Sequence, residues 1–215
     1  FDANYGELLT GAGSHQPDAG TTWTKVTGSS VQKIECYAGA PSTNRCVQNA
    51  TNRVQSHTNS ADDCATNEMN VIANVRAGTA GGGVKWDLIG RADRTDGSAY
   101  LCRITEDGTN MDYELLRRNS SGTETSIATL TTRTDPRDTA INIKLEIRLA
   151  TKKIYVAGNE IISSTDDTET TGKGGGLQAQ TSIAGSVDNF KLHEIATKNS
   201  QNIPNTLRPS IFRPG

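Results

Sequence analysis

Aromatic side chains are scarce in this sequence: 2 Trp, 5 Tyr and 3 Phe among 215 residues. A surface devoted to stacking on sugar rings needs more of them free, because a core claims some. Charge of either sign is nearly cancelled, with 24 acidic and 22 basic residues and a net charge of −2. That balance removes the electrostatic case for nucleic acid or an anionic membrane. No apolar run approaches the length of a membrane span. Histidine is limited to His15, His57 and His193, and no G-x-S-x-G elbow exists, so a Ser-His-Asp hydrolase lacks both of its marks. Cysteine is limited to Cys36, Cys46, Cys64 and Cys102, with no CxxC pair, which argues against zinc. The four are either disulfide-bonded, in one of three full pairings, or small buried apolar residues. No signal-peptide pattern opens the chain, and a start at Phe1 rather than Met leaves room for residues upstream.

Strand patterning is what the sequence does have. The organising stretch is Ala140 to Ile162, AINIKLEIRLATKKIYVAGNEII. Ile141, Ile143, Leu145, Ile147 and Leu149 alternate with Asn142, Lys144, Glu146 and Arg148. Period 2 means a strand with one buried and one wet face. A break is expected at Ala150 to Lys153, and another at Gly158-Asn159. Met69, Val71, Ala73 and Val75 repeat the alternation earlier in the chain. Val84 to Asp93 and Ala99 to Thr105 flank Asp96-Gly97, a hairpin signal. Asp112 to Arg118 and Thr123 to Leu130 flank Ser121-Gly122, while Leu177 to Ser182 and Val187 to Ile195 close the series. Trp23 to Val26 and Val31 to Tyr37 are short strands. Residues 38–66 read mostly as loop, with a strand candidate at Cys46 to Gln55. Glu106 and Asp107 read as turn residues, and Gly172 to Gly176 as a flexible loop. About a dozen strands without a helical stretch predict an all-β chain, a two-sheet antiparallel β-sandwich spanning residues 1–195.

Residues 196–215 differ. Pro204, Pro209 and Pro214 forbid a central strand or helix. Ile203, Leu207, Arg208, Ile211, Phe212 and Arg213 give the segment apolar anchors along an extended backbone. It reads as an extended arm that docks on a neighbouring subunit, with a disordered tail as the alternative.

The order of PDAGTTWTKVTG, NVIANVRAG, IGRADRTDGSAYLCRI, INIKLEIRLATKKIYVAGNEI, GLQAQ and VDNFKLHEI resembles the concanavalin-A-like, laminin-G-like jelly roll of phage and bacterial surface proteins, over residues 17–195. The resemblance implies two curved antiparallel sheets and recognition of glycan or protein on a concave face or edge loops. It also implies a calcium site at the sandwich rim, for which Asp62, Asp63, Asp166 and Asp167, with Glu169, are the oxygen clusters. Otherwise no cofactor is expected. RPSIFRPG is similar to the ends of some phage structural proteins.

Catalysis finds little support in the residues. Glycan-cleaving relatives carry an E-x-D-x-x-E strand, and this sequence does not. Asp112 and Glu114 share a strand face about 7 Å apart, but a solvated face explains them as well. For sugar stacking the candidates are Trp23, Trp86 and Tyr100, with Tyr113 and Tyr155. Trp86, sharing a face with Val84 and Leu88, also reads as core. Asn49-Ala50-Thr51 and Asn119-Ser120-Ser121 match the glycosylation sequon as chance occurrences in an Asn-, Ser- and Thr-rich chain. The leading expectation is a non-catalytic structural module, a phage virion decoration or surface protein that its arm anchors to other virion subunits in an oligomer. Its place would be the virion surface or the extracellular space. The alternative is a carbohydrate-binding, lectin-like module or adhesin that takes a surface glycan. A glycan-active enzyme is the third reading.

Overall fold

A computed structural model of the protein describes residues 7–8, 23–28, 34–39, 42–48, 55–59, 64–76, 84–93, 95–106, 108, 110–136, 139–169, 171–179 and 186–195. Before residue 60, and at residues 84, 131, 132, 179, 186 and 188, the description is of backbone alone. In chain order the strands are β1 (Glu7–Leu8), β2 (Trp23–Gly28), β3 (Ile34–Gly39), β4 (Ser42–Gln48), β5 (Gln55–Asn59), β6 (Met69–Arg76), β7 (Val84–Ala92), β8 (Ala99–Glu106), β9 (Met111–Arg118), β10 (Glu124–Arg133), β11 (Ile141–Arg148), β12 (Thr151–Val156), β13 (Asn159–Thr165), β14 (Gly174–Ala179) and β15 (Ser186–Glu194). No helix occurs among the described residues. One sheet has eight strands in the order β1-β3-β4-β15-β6-β11-β12-β13. The other has seven, in the order β10-β9-β8-β7-β14-β5-β2.

The period-2 pattern of β6 and β11 sets where the core lies. Register puts Ile141 opposite Val75, Ile143 opposite Ala73, Leu145 opposite Val71 and Ile147 opposite Met69, so two greasy rows become one. All eight side chains are buried, and each one larger than that of Ala73 contributes roughly 1.5–3 kcal/mol. Trp86, Leu88, Cys102, Ile104, Tyr113 and Leu115 of the seven-stranded sheet join the same core. The two sheets are therefore layers of one sandwich.

Turn chemistry departs from expectation in two places. Leu149 does not continue the buried row: with φ of 44° it opens a two-residue turn, is 71% exposed, and leaves Arg148 paired with Thr151. The following strand thus starts at Thr151, and Lys152 falls on the core face, opposite Ile147. The second turn comes one residue earlier than expected, at Ala157 (φ 49°) and Gly158 (φ 82°), between the paired Val156 and Asn159. Two positive φ values match a type I′ hairpin, whose twist suits the flanking strands. Asn119 shapes a third turn: its Oδ1 accepts the backbone N–H of Ser121 (3.1 Å) and of Thr123 (2.9 Å).

Strands also form where loop was expected. β4 and β5, STNRCVQ and QSHTN, lack apolar alternation, yet each lies between two antiparallel neighbours that satisfy its backbone. Glu106 is the last residue of β8 rather than a turn residue, is fully buried, and accepts the Gly108 N–H at 2.7 Å. Gly174 to Gly176 belong to β14, against β7. Just before them, Gly172 is packed so closely that a Cβ would lie 2.1 Å from the Arg91 carbonyl oxygen. Backbone cannot yield as a flexible side chain can. Gly172→Ala is therefore expected to destabilise the fold by more than about 2 kcal/mol in urea unfolding; an unchanged midpoint would mean that the segment is the flexible loop the sequence suggests.

Candidate functional site

The same alternation that fills the core decides what faces outward. On β7, Trp86 and Leu88 point into the sandwich, so Asp87 and Ile89 point away from it; β8 and β9 turn out Leu101, Arg103, Glu114 and Leu116 in the same way. Register lines Gln178, Asp87, Arg103 and Glu114 up across β14, β7, β8 and β9. The next line out, Ile89, Leu101 and Leu116, forms a small apolar cluster with Ala92 and Ala99.

Asp87 is fully buried on this outer face, and a buried carboxylate needs a partner. Arg103 supplies it with both arms of its guanidinium, Nε to Oδ1 at 2.9 Å and Nη2 to Oδ2 at 3.0 Å. The Arg103 Nη2 also meets Glu124 Oε2 at 2.7 Å. Glu124 in turn accepts from Arg118 at 2.8 Å. Arg118 goes on to donate to Gln178 Oε1 on β14, although β8 and β7 lie between their strands. That reach requires the sheet to curve toward this face. Burial works against the Arg103 charge, but Asp87 and Glu124 outweigh it and hold the guanidinium protonated well above its ordinary range. Burial likewise pushes Glu124 up, while Arg118 and Arg103 win and keep it below the usual carboxylate range. Around this ladder Lys85, Thr105, Asp112 and Glu114 are partly exposed, and Ser126 and Thr129 on β10 are exposed. The ladder is thus a set of largely buried hydrogen-bonding groups held in fixed directions, and the accessible polar groups lie beside it.

A second polar cluster closes the rim. Arg91, at a β-bulge with φ of 49°, is buried. It donates to the carbonyls of Asn67 (3.0 Å), Glu169 (3.1 Å) and Leu149 (2.9 Å), and to Asp167 Oδ1 (3.3 Å). Lys152 donates to Leu149 O at 2.7 Å and to Asp166 O, with its ammonium 4.5 Å from the Tyr100 ring centre. Tyr100 donates to Asp166 Oδ1 at 2.7 Å, and Arg117 to Asp166 Oδ2 at 2.7 Å. Burial pushes the Tyr100 hydroxyl up, and the Asp166 hydrogen bond adds to it. Burial and then the Arg91 charge push Lys152 down to about 8, against the pull of Asp167 and Asp166.

These positions correct several expectations. Trp86 is 2% exposed and Tyr100 0%, so neither offers a ring face to a sugar; both fill the core. Tyr113 is buried with them, and Lys144 stands 3.7 Å over the ring of the partly exposed Tyr155. The Trp23 side chain, Asp62, Asp63 and residues 203–213 of the arm lie outside the described residues. Asp166 and Asp167 do adjoin, but Arg117, Arg91 and Lys152 face them, so this donor set does not fit a calcium ion. Among the described residues no group of three or more His, Cys, Asp or Glu could hold a metal. His193 is exposed. The ladder residues Asp87, Arg103, Arg118, Glu124 and Gln178 were not singled out by sequence. The available signal was a charge set between core residues, as Asp87 is between Trp86 and Leu88.

Lys152 makes the rim sensitive to pH. Below about pH 8 the folded and unfolded chains both hold its proton, and the fold bears the full penalty of a buried charge. Between about 8 and the ordinary 10.5 the folded lysine sheds a proton that the unfolded chain keeps, so stability gains as pH rises. Lys152→Met lacks this gain. The difference in Tm between the native protein and the variant should therefore move in the native protein's favour from pH 7 to pH 10; a constant difference would show that Lys152 is not desolvated.

Neither a protein-family model nor a curated protein matches the sequence. Solved structures do. The fold is similar to a carbohydrate binding module, CBM66 from Bacillus subtilis, with a TM-score of 0.59, 16% identity, and coverage of 80% of this chain and 95% of that one. It is similar to the exoplasmic/lumenal domain of VIP36 in its Ca2+/Man-bound form, with a TM-score of 0.56, 15% identity and 91% of each chain covered. A Bacillus licheniformis β-glucanase follows at a TM-score of 0.52 and 11% identity, over 81% of this chain and 92% of that one. At these identities the likeness is one of fold, and that fold is the concanavalin-A-like jelly-roll sandwich.

Proposed function

We propose that the protein is a non-catalytic carbohydrate-binding jelly roll that takes a glycan on the outer face of its seven-stranded sheet. The observation that carries this reading is the Asp87–Arg103–Glu124–Arg118–Gln178 ladder. Sugar hydroxyls are recognised by donors and acceptors held at fixed spacing, and here a guanidinium fork is fixed on both sides by carboxylates. Partly exposed Glu114, Asp112 and Thr105 adjoin it with further oxygens. The fold likeness to a carbohydrate binding module and to a mannose-bound domain supports the same reading.

The likeness to a glucanase raises the catalytic alternative. Glycoside hydrolysis needs a carboxylic acid whose pKa is raised so that it can give up a proton at neutral pH. Glu124 is held in the opposite direction by two arginines, and Asp87 is locked in a bidentate ion pair. The ladder suits binding. The expected virion decoration role rested on the missing catalytic motif and on the arm at 196–215, and no similar structure named above supports it; glycan recognition outside the cell is the better-supported reading.

A glycan array followed by calorimetry on the retained sugar tests the proposal. Glu114→Ala should weaken binding at least tenfold, about 1.4 kcal/mol, with no loss of Tm. Retention of no glycan by the native protein, or native affinity in the variant, would refute it.

A further inference from the structure

The cysteines divide into two pairs of different character. Cys64 and Cys102 are buried, and neither is joined in a disulfide. Cys102 lies inside the core, where burial pushes its thiol far from ionisation, so it is a poor nucleophile. Each of the three full pairings would bond Cys64 and Cys102, and neither is bonded. Cys36 and Cys46 remain, and backbone register makes them direct partners on the antiparallel neighbours β3 and β4.

Opposed Cα atoms in an antiparallel pair stand roughly 4.5 or 5.5 Å apart, according to the pair type. Both separations fall within the roughly 4.4–6.8 Å that a disulfide spans. The same register line continues from Cys46 through Val187 of β15 and Val75 of β6 to Ile141 of β11. Those three residues are buried core positions, and the backbone register places Cys46, with Cys36 opposite it, on the same line across the sheet. Among the described residues β4 meets β15 at Ser186 and Val187, a short ladder, and β4 itself, STNRCVQ, has only Cys46 and Val47 as apolar residues. A covalent link between β3 and β4 does what apolar packing does in β6 and β11.

We propose that Cys36 and Cys46 form a cross-strand disulfide in an oxidising environment. The oxidant is a small disulfide, R–S–S–R. One cysteine thiolate displaces R–SH to give a mixed disulfide, and the second displaces the remaining R–SH as the S–S bond closes. Two protein thiols are oxidised, one small disulfide is reduced to two thiols, and the protons end on the released thiols.

The test is peptide mapping of the full-length protein after equilibration in a glutathione redox buffer, acid quench, and alkylation in denaturant without reductant. Trypsin cuts after Lys33, Arg45 and Arg53, so Cys36 and Cys46 fall on separate peptides, 34–45 and 46–53. The proposal predicts those two peptides joined, separating only on reduction, with Cys64 and Cys102 both alkylated. Four alkylated cysteines, glutathione left on Cys36 or Cys46, or a link that includes Cys64 or Cys102 would overturn it.

Discussion

Asp87 is the constraint from which the outer face of the seven-stranded sheet follows. A carboxylate at zero exposure is tolerable only with a complete set of partners, and Arg103 provides two of them. Arg103 then carries a charge that its burial opposes, which draws in Glu124; Glu124 draws in Arg118, and Arg118 reaches Gln178. Each link is needed by the one before. Together they tie β14, β7, β8, β9 and β10 into one curved surface and keep its polar groups in fixed directions. Replacing Arg103 alone would take both guanidinium bonds from the fully buried Asp87, so that pair is tolerant of replacement only together.

The rim cluster obeys the same rule with a different outcome. Arg91 and Lys152 are two buried cations beside one tyrosine, and backbone carbonyls of Asn67, Leu149, Asp166 and Glu169 absorb most of their donors. These bonds fasten the segment after β13 onto β7 and β8, with Arg117 and Tyr100 holding Asp166 from the other side. Its charges are consumed internally. The ladder on the sheet face, by contrast, borders the partly exposed Glu114, Asp112 and Thr105.

Alternation made the fold legible. β6, β11 and the hairpin around Asp96-Gly97 follow from period 2 and turn residues, and the jelly roll followed from their order. The site was less legible because it depends on register. A two-residue turn at Asp96-Gly97 would set Asp87 opposite Glu106, two carboxylates face to face. The turn that forms is wider, closed by Asp93 N–H to Ser98 O at 2.8 Å and Gly97 N–H to Asp93 O at 2.8 Å, and it sets Asp87 opposite Arg103. Leu149 misled for a related reason: it continued the apolar alternation in sequence, while its positive φ took it out of the strand. The polar β4 and β5 carried no periodic signal, since their partners rather than their side chains make them strands.

The most direct measurement is the position of a bound glycan on the sandwich, by NMR titration of the isotopically labelled protein with a sugar it retains. The Arg103 Nε–H signal and the amides of Thr105 and Glu114 should shift together, and those of Lys144 and Tyr155 on the other sheet should not. Shifts confined to the rim segment at 166–171 or to the eight-stranded sheet would contradict the assignment of the ladder face as the binding surface.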